Sequence, residues 1–308
     1  MMKIKDGIIG HAIGDAMGVP IEFYEREKLL AHPVTDMIDG YVPKGYWSDD
    51  TSMEIALIES FNQKGLFDYD DIMMKFSEWI NKGKYTPSGK AFDMGRTCLN
   101  AIRKYDEGMT KPVDCGLNDF YSNGNGSLMR ILPVAYYCFY KKLEIQEIYQ
   151  IVKDISSLTH ANEISILGCY IYVNYAIFLL NGDDRYMAYH KVKYINYSMF
   201  KQKYLQLYSR ILEEDISELK IEDIKSSGYV VDTLEAVLWV FLNASSYREA
   251  IIASINLGGD TDTIGAITGS LAGILYGYGS IPQEWLHQLV KRDYLEDLSL
   301  EFEKQLTK

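Results

Sequence analysis

The sequence predicts an all-α protein, a single compact multi-helix domain spanning residues 1–308.

 Three observations carry that expectation. Apolar residues recur at three- and four-residue spacings in almost every periodic stretch, the period of a helix with one buried face. Apolar–polar alternation of strand length is scarce, and nothing alternates strand with helix as a parallel sheet requires. Glycines, too, fall at helical spacing and so lie along one side of a helix.

In chain order, the first helix covers residues 4–17, with Gly7, Gly10, Gly14 and Gly18 on one side. Glycine costs about 1 kcal/mol per helix-interior position relative to alanine, so such a stripe implies close approach of another helix. Residues 53–61 place Met53, Ile55, Leu57, Ile58 and Phe61 on one face, with Glu54 and Glu59 outward. Residues 69–80, 145–155, 163–180, 233–242 and 248–257 follow the same pattern. A second small-residue stripe, Gly265, Gly269 and Gly273, runs through a helix over 264–278. Pro282 stands where a first helical turn tolerates proline, and that pattern runs to Lys291. The stretch 181–227 is rich in Tyr and Lys and poor in motifs, and reads as peripheral, variable helices.

Composition bounds the function. A net charge of -12 and a pI near 4.9 argue against nucleic acid or an anionic membrane as the main partner. Cys98, Cys115, Cys138 and Cys169 show no paired short spacing, so zinc-ribbon and redox motifs lack support and a reducing cytoplasm is expected. The first residues lack the apolar core of a signal peptide, and the apolar stretches 168–180 and 264–278 read as too short or too glycine-interrupted for a bilayer span.

Two acidic clusters carry the chemistry. Ser48-Asp49-Asp50-Thr51 and Asp260-Thr261-Asp262-Thr263 each pack carboxylates and hydroxyls at the start of a helical pattern. Adjacent helical residues point about 100° apart, so Asp49 and Asp50 converge on one ion only from the loop and first turn. There the free N–H groups and the helix dipole stabilise their charge. Facing clusters would need cations to offset their repulsion, and oxygen donors suit Mg²⁺ or Mn²⁺. The competing reading is a pair of ordinary N-caps. Asp260-Thr261-Asp262-Thr263 also mimics the Asp-x-Asp-x-Thr motif of haloacid-dehalogenase-like phosphatases. That motif ends a buried strand, whereas residues 256–259 follow a helical pattern.

Further segments join these clusters. Asp15 and Glu22 flank a helix end stopped by Gly18 and Pro20, and Asp93 and Gly95 follow a turn. Residues 123–130 form a glycine loop entering a helix, a shape suited to holding phosphate on backbone N–H groups. His160 falls at a helix break, where a packing role competes with ligand contact.

Taken in order, the segments GxxxGDAMGxPxE (10–22), WSDDTSM (47–53), FDMGRT (92–97), GNGSLMRILPVA (124–135), SLTHAN (157–162), GYVVDTLEAVLW (228–239) and GGDTDTIGAITGSLAG (258–273) resemble the ADP-ribosylglycohydrolase family. The resemblance spans nearly the whole chain except 181–227. It implies an all-α fold, two divalent cations (Mg²⁺ or Mn²⁺) and an ADP-ribosylated protein or small-molecule conjugate as substrate. By motif, Ser48, Asp49, Asp50, Asp260, Asp262 and Thr263 would be metal ligands, with Glu22 beside them. Ser48 stands where the family commonly has threonine, which leaves an oxygen in place. Asp93 would meet the distal ribose, with Gly95 in the same motif. Asn125, Gly126 and Ser127 would meet the diphosphate, and His160 would lie near the ligand.

The implied reaction is attack of an activated water on the ribose anomeric carbon. Asp49 or Asp50 would take the proton and Asp93 would position the ribose. Arginine is the favoured acceptor, on the likeness to the compact dinitrogenase-reductase type. Another ADP-ribose derivative, a nucleotide glycoside, or a non-catalytic crystallin-like role remain alternatives.

Overall fold

The computed structural model describes residues 4–108 and 110–308. The leader reading above rests partly on residues 1–3, which lie outside the described residues. The chain is 65% helical, and among the described residues no strand forms. Isolated bridges join Leu117 to His160 and Gly124 to Tyr229.

The α-helices are α1 (Ile4–Gly18), α2 (Arg26–Ala31), α3 (Asp49–Lys64), α4 (Tyr69–Lys82), α5 (Arg96–Asp106) and α6 (Leu132–Lys141). Then come α7 (Ile145–Ser157), α8 (Glu163–Leu180), α9 (Arg185–Val192), α10 (Gln202–Leu205) and α11 (Ser209–Leu212). The last are α12 (Val230–Asn243), α13 (Tyr247–Ile255), α14 (Thr261–Tyr276), α15 (Gln283–Gln288) and α16 (Arg292–Leu306).

The two glycine stripes face each other. A Cβ on Gly14 would overlap the Gly265 carbonyl, and one on Gly10 would overlap the Gly269 carbonyl. The missing side chains therefore let α1 and α14 touch backbone to backbone at the centre of the fold. Both are buried along nearly their whole length. Around them a continuous hydrophobic core gathers residues from α3, α8, α12, α13 and α16. By length and composition α8 could cross a membrane, yet 78% of it is buried inside the protein, as befits a central core helix.

Some boundaries differ from expectation. The helix expected from Met53 begins at Asp49, because Ser48 caps it and Asp49 and Asp50 form its first turn. The helix expected from Ile264 begins at Thr261 and ends at Tyr276, where Gly277 turns to φ 81°. Pro282 sits at the N-cap of α15 rather than inside its first turn, and that helix stops at Gln288. A left-handed Lys291 (φ 51°) then starts α16 in a new direction. Helix α5, not among the helices expected above, buries Cys98, Ala101 and Ile102, which are three and four residues apart on one face.

Candidate active site

The backbone contact of α1 with α14 places both acidic clusters. Gly18 ends α1 against the backbone of Asp262, and the Thr261 hydroxyl donates to the Gly18 carbonyl at 2.9 Å. One turn earlier, the buried Asp15 reaches the start of α3. It accepts the Ser48 N–H at 2.8 Å, the Thr51 N–H at 3.0 Å and the Thr51 hydroxyl at 2.6 Å. Those bonds satisfy donors that a helix N-terminus leaves free. The Ser48 hydroxyl accepts a further one, the Asp50 N–H, at 3.3 Å.

The clusters meet at Asp50. Its Oδ2 accepts the Ser48 hydroxyl at 3.1 Å and, from α14, the Thr263 hydroxyl at 3.2 Å. Its Oδ1 is buried with no hydrogen-bond partner among the described residues. Asp260 is held from the other side, where the Asn125 amide donates to it at 2.8 Å and to the Thr233 hydroxyl at 3.0 Å.

Glu22 and Asp93 complete the ring. Glu22 follows the short 3-10 turn Val19–Ile21, and Asp93 holds a left-handed φ of 55°. A non-glycine residue in that region costs about 1–3 kcal/mol and persists where its surroundings fix it. Carboxylate oxygens of Glu22, Asp93 and Asp262 lie within 4.8 Å of one another. The resulting cavity, about 280 Å³, is also lined by Asp49, Gly95, Asn125, Gly126, His160, Asp260 and Thr263.

Electrostatics sharpen the picture. Burial first, and then neighbouring carboxylates, push Asp49, Asp50 and Asp262 well above the usual carboxylate range. Burial and the charges of Asp93 and Asp260 raise Glu22 to about 9. Burial raises Asp15 to about 6 against the pull of its Ser48 and Thr51 donors. Burial, aided by the Arg130 charge, lowers His160 to about 3, so it faces the cavity neutral. Arg96, which is exposed, is the one basic residue lining the cavity among those described. Crowded buried carboxylates, an unpartnered Asp50 oxygen and an all-oxygen donor set fit hard divalent cations.

Not every expected residue reaches the cavity. Asp49, Asp260, Asp262 and Thr263 line it, whereas Ser48 and Asp50 lie just behind and join the clusters. The Ser127 side chain is turned away into the core, where its hydroxyl meets Ser156 at 3.0 Å and Cys169 at 3.4 Å. The glycine loop does not open directly onto a helix either, because α6 starts only at Leu132. Instead it pairs with 228–230, the Asn125 N–H donating to Gly228 and the Val230 N–H to Asn123, each at 3.0 Å. Beneath it the buried Arg130 turns its guanidinium back to the Gly126 carbonyl and the Thr159 hydroxyl.

Asp15, Arg130, Thr233 and Phe23 had no assigned role in the sequence reading. Asp15 was the most accessible of them, sitting within the first motif beside Gly14. Besides those of α3 and α14, the N-terminus of α5 faces the cavity, through Gly95, Arg96, Thr97 and Cys98.

Known proteins share this architecture. A profile of the ADP-ribosylglycohydrolase family matches residues 2–308. ADP-ribosylarginine hydrolase Tri1 of Serratia proteamaculans is 33% identical over 309 residues, covering 96% of this chain and 78% of that protein. The ADP-ribosyl-[dinitrogen reductase] glycohydrolase of Rhodospirillum rubrum is 28% identical, covering 91% and 88%. A solved structure titled ADP-ribosylglycohydrolase-related protein complex superposes with a TM-score of 0.81 at 27% identity, covering 99% of this chain and 98% of that one. The helical scaffold and its acid-lined cavity are those of a glycoside-cleaving hydrolase. The chain belongs to the ADP-ribosylglycohydrolase family and is an ADP-ribosyl glycohydrolase.

Proposed function

We propose that this enzyme removes ADP-ribose from an arginine side chain, using two divalent cations held between its acidic clusters. The observation that carries the cation reading is Asp50, buried, shared by Ser48 and Thr263, and left with one oxygen unpartnered. Asp49, Asp50, Asp260, Asp262, Thr263 and Ser48 would hold the cations, with Glu22 and Asp93 beside them. Bound Mg²⁺ or Mn²⁺ would supply the positive charge that lets these carboxylates ionise together, and Lewis acidity towards water and ribose. The arginine reading follows the name of the Serratia relative.

The chain's own groups divide the remaining work. Asp93 accepts a hydroxyl of the distal ribose, its left-handed backbone aiming the carboxylate inward. Asp49 takes a proton from the attacking water as the new C–O bond forms at the anomeric carbon. The C–N bond to the guanidine breaks, and the departing nitrogen regains a proton. Positive charge near the ring oxygen in the transition state is favoured by the surrounding carboxylates. The α5 N-terminus with Arg96 faces the diphosphate.

The test is release of free ADP-ribose from ADP-ribosylarginine, set against serine- and nucleotide-linked ADP-ribose. Turnover should need added Mg²⁺ or Mn²⁺, and titration calorimetry should register Mn²⁺ binding that Asp49→Ala/Asp260→Ala abolishes. Full turnover by that double variant after chelation would sink the cation reading. A preference for serine-linked substrate would sink the arginine one.

A further inference from the structure

Beside the catalytic cavity opens a larger groove of about 740 Å³; Phe23 lines both, and Gly259 of the groove precedes Asp260 of the cavity. One flank is the loop after Glu22 together with α2. The other is residues 221–227, the end of the stretch in which the sequence shows no motif. Arg26 fastens the flanks together. It donates to the carbonyls of Leu257 at 2.7 Å, Ile221 at 2.5 Å and Ile224 at 2.6 Å. Its N–H donors are thus spent on the floor, while its charge still acts on Glu27 and Glu222 without forming an ion pair with either.

The rim is acidic. Glu25, Glu27 and Glu222 are exposed, and none of them forms an ion pair among the described residues. Lys225 is the other basic residue of the lining. Phe23 and Tyr24 stand exposed at the junction, 73% and 41% accessible. Lys28 already covers the Tyr24 ring, 4.1 Å from its centre, so Phe23 is the more open aromatic at the junction.

We propose that this groove receives the acceptor side of the substrate, a polypeptide segment with further basic residues beside the ADP-ribosylated arginine. The proposal rests on the arginine reading above. The scissile carbon belongs among the carboxylates, so the acceptor chain leaves past Phe23, where the two spaces join. Free ADP-ribosylarginine ends near that junction and leaves the groove unused. A basic peptide continues into it and meets the exposed glutamates and the Phe23 ring.

The experiment compares the wild-type enzyme with Glu25→Gln/Glu27→Gln/Glu222→Gln. The substrates are an ADP-ribosylated peptide with flanking lysines, the same peptide with glutamines there, and free ADP-ribosylarginine. The triple variant should raise KM about tenfold for the basic peptide and stay within about twofold on the other two. Added salt should erase the wild-type advantage for the basic peptide. The single variant Glu27→Arg, at an exposed helix position, should move the same way. Equal losses on all three substrates, or none on the basic peptide, would overturn the proposal. So would a dimer in sedimentation that the triple variant dissolves, since a second copy would then be the occupant. No wild-type turnover of any arginine-linked substrate would overturn the arginine reading and this proposal with it, whereas turnover indifferent to flanking charge overturns the groove alone.

Discussion

The α1–α14 pair and the segment 181–227 are built by opposite means. In the pair, facing glycines bring two backbones into contact, and the residues that follow Gly14 and precede Gly265 are those of the acidic site. In the segment, short helices are tied down by side chains reaching backbone carbonyls. The Tyr189 hydroxyl donates to Ile211, the Tyr208 hydroxyl to Ile164 and the Trp239 indole to Leu219, each at 2.8 Å. Backbone contact leaves no slack, so the carboxylates are placed by the geometry of two helices. Side-chain tethers tolerate change, which suits a wall that contacts whatever lies beyond the reacting bond.

The sharpest way to break this contrast is to substitute one glycine in each region. Gly14→Ala forces a methyl group into the Gly265 carbonyl, which belongs to a buried helix with nowhere to move. Overpacking of that kind costs about 3 kcal/mol or more, so urea unfolding should show a large loss or no folded protein. Gly182→Ala has nothing within 4 Å and suffers only its φ of 95°, a cost of about 1–2 kcal/mol. Equal losses would show that the glycine stripe is not what frames the site.

A second difference is electrical, since the site concentrates raised carboxylates. Glu22 moves from an ordinary 4.5 to about 9, chiefly through burial. A carboxyl raised in the folded state favours folding below its unfolded pKa, and that advantage is lost as pH rises through the folded value. Cation-free protein should therefore lose stability between about pH 5 and pH 9, with Asp49, Asp50 and Asp262 acting in the same direction. Saturating Mn²⁺ should flatten the slope, because cations binding only the folded state stabilise it. Thermal melts across that range, with chelator and with Mn²⁺, check this. A stability that rises with pH in chelator would contradict it.

What the sequence made legible divides along the same line. Both clusters, Asn125 and His160 sit in motifs whose chemistry is local, and the structure brings them around one cavity. The glycine spacing likewise carried the contact of α1 with α14, since only close approach explains so many. Ser127 stands apart from the cavity residues because its neighbours in sequence belong to the loop while its hydroxyl faces Ser156 and Cys169. Asp15 lacked a role because its partners, Ser48 and Thr51, come from a helix whose approach no spacing records. The groove wall had no signal at all, as Arg26 reaches carbonyls nearly two hundred residues away, at Ile221 and Ile224. Carbonyl acceptors are independent of residue type.

Arg26 itself offers a smaller test. Arg26→Ala removes donors to three carbonyls and unpins both flanks of the groove, at a cost of about 1–3 kcal/mol. Peptide KM should rise while turnover of free ADP-ribosylarginine holds, because Gly18 and Asp15 still place the acidic residues. Loss of both activities together would join the wall to the site.

The smallest expected effect lies in the tether at Trp239. Trp239→Phe keeps the aromatic packing but deletes the N–H that reaches Leu219, a loss of about 1 kcal/mol. The neighbouring Asn243 amide still donates to Ser217 at 3.1 Å, so the segment should stay attached at one end. Amide exchange should quicken over residues 214–224 and remain unchanged in α1 and α14. Turnover of free ADP-ribosylarginine should be unaltered, since no tethered residue of that segment lines the catalytic cavity. If exchange instead quickens equally in α14, the two regions open as one unit, and the wall cannot be varied without disturbing the chemistry beside it.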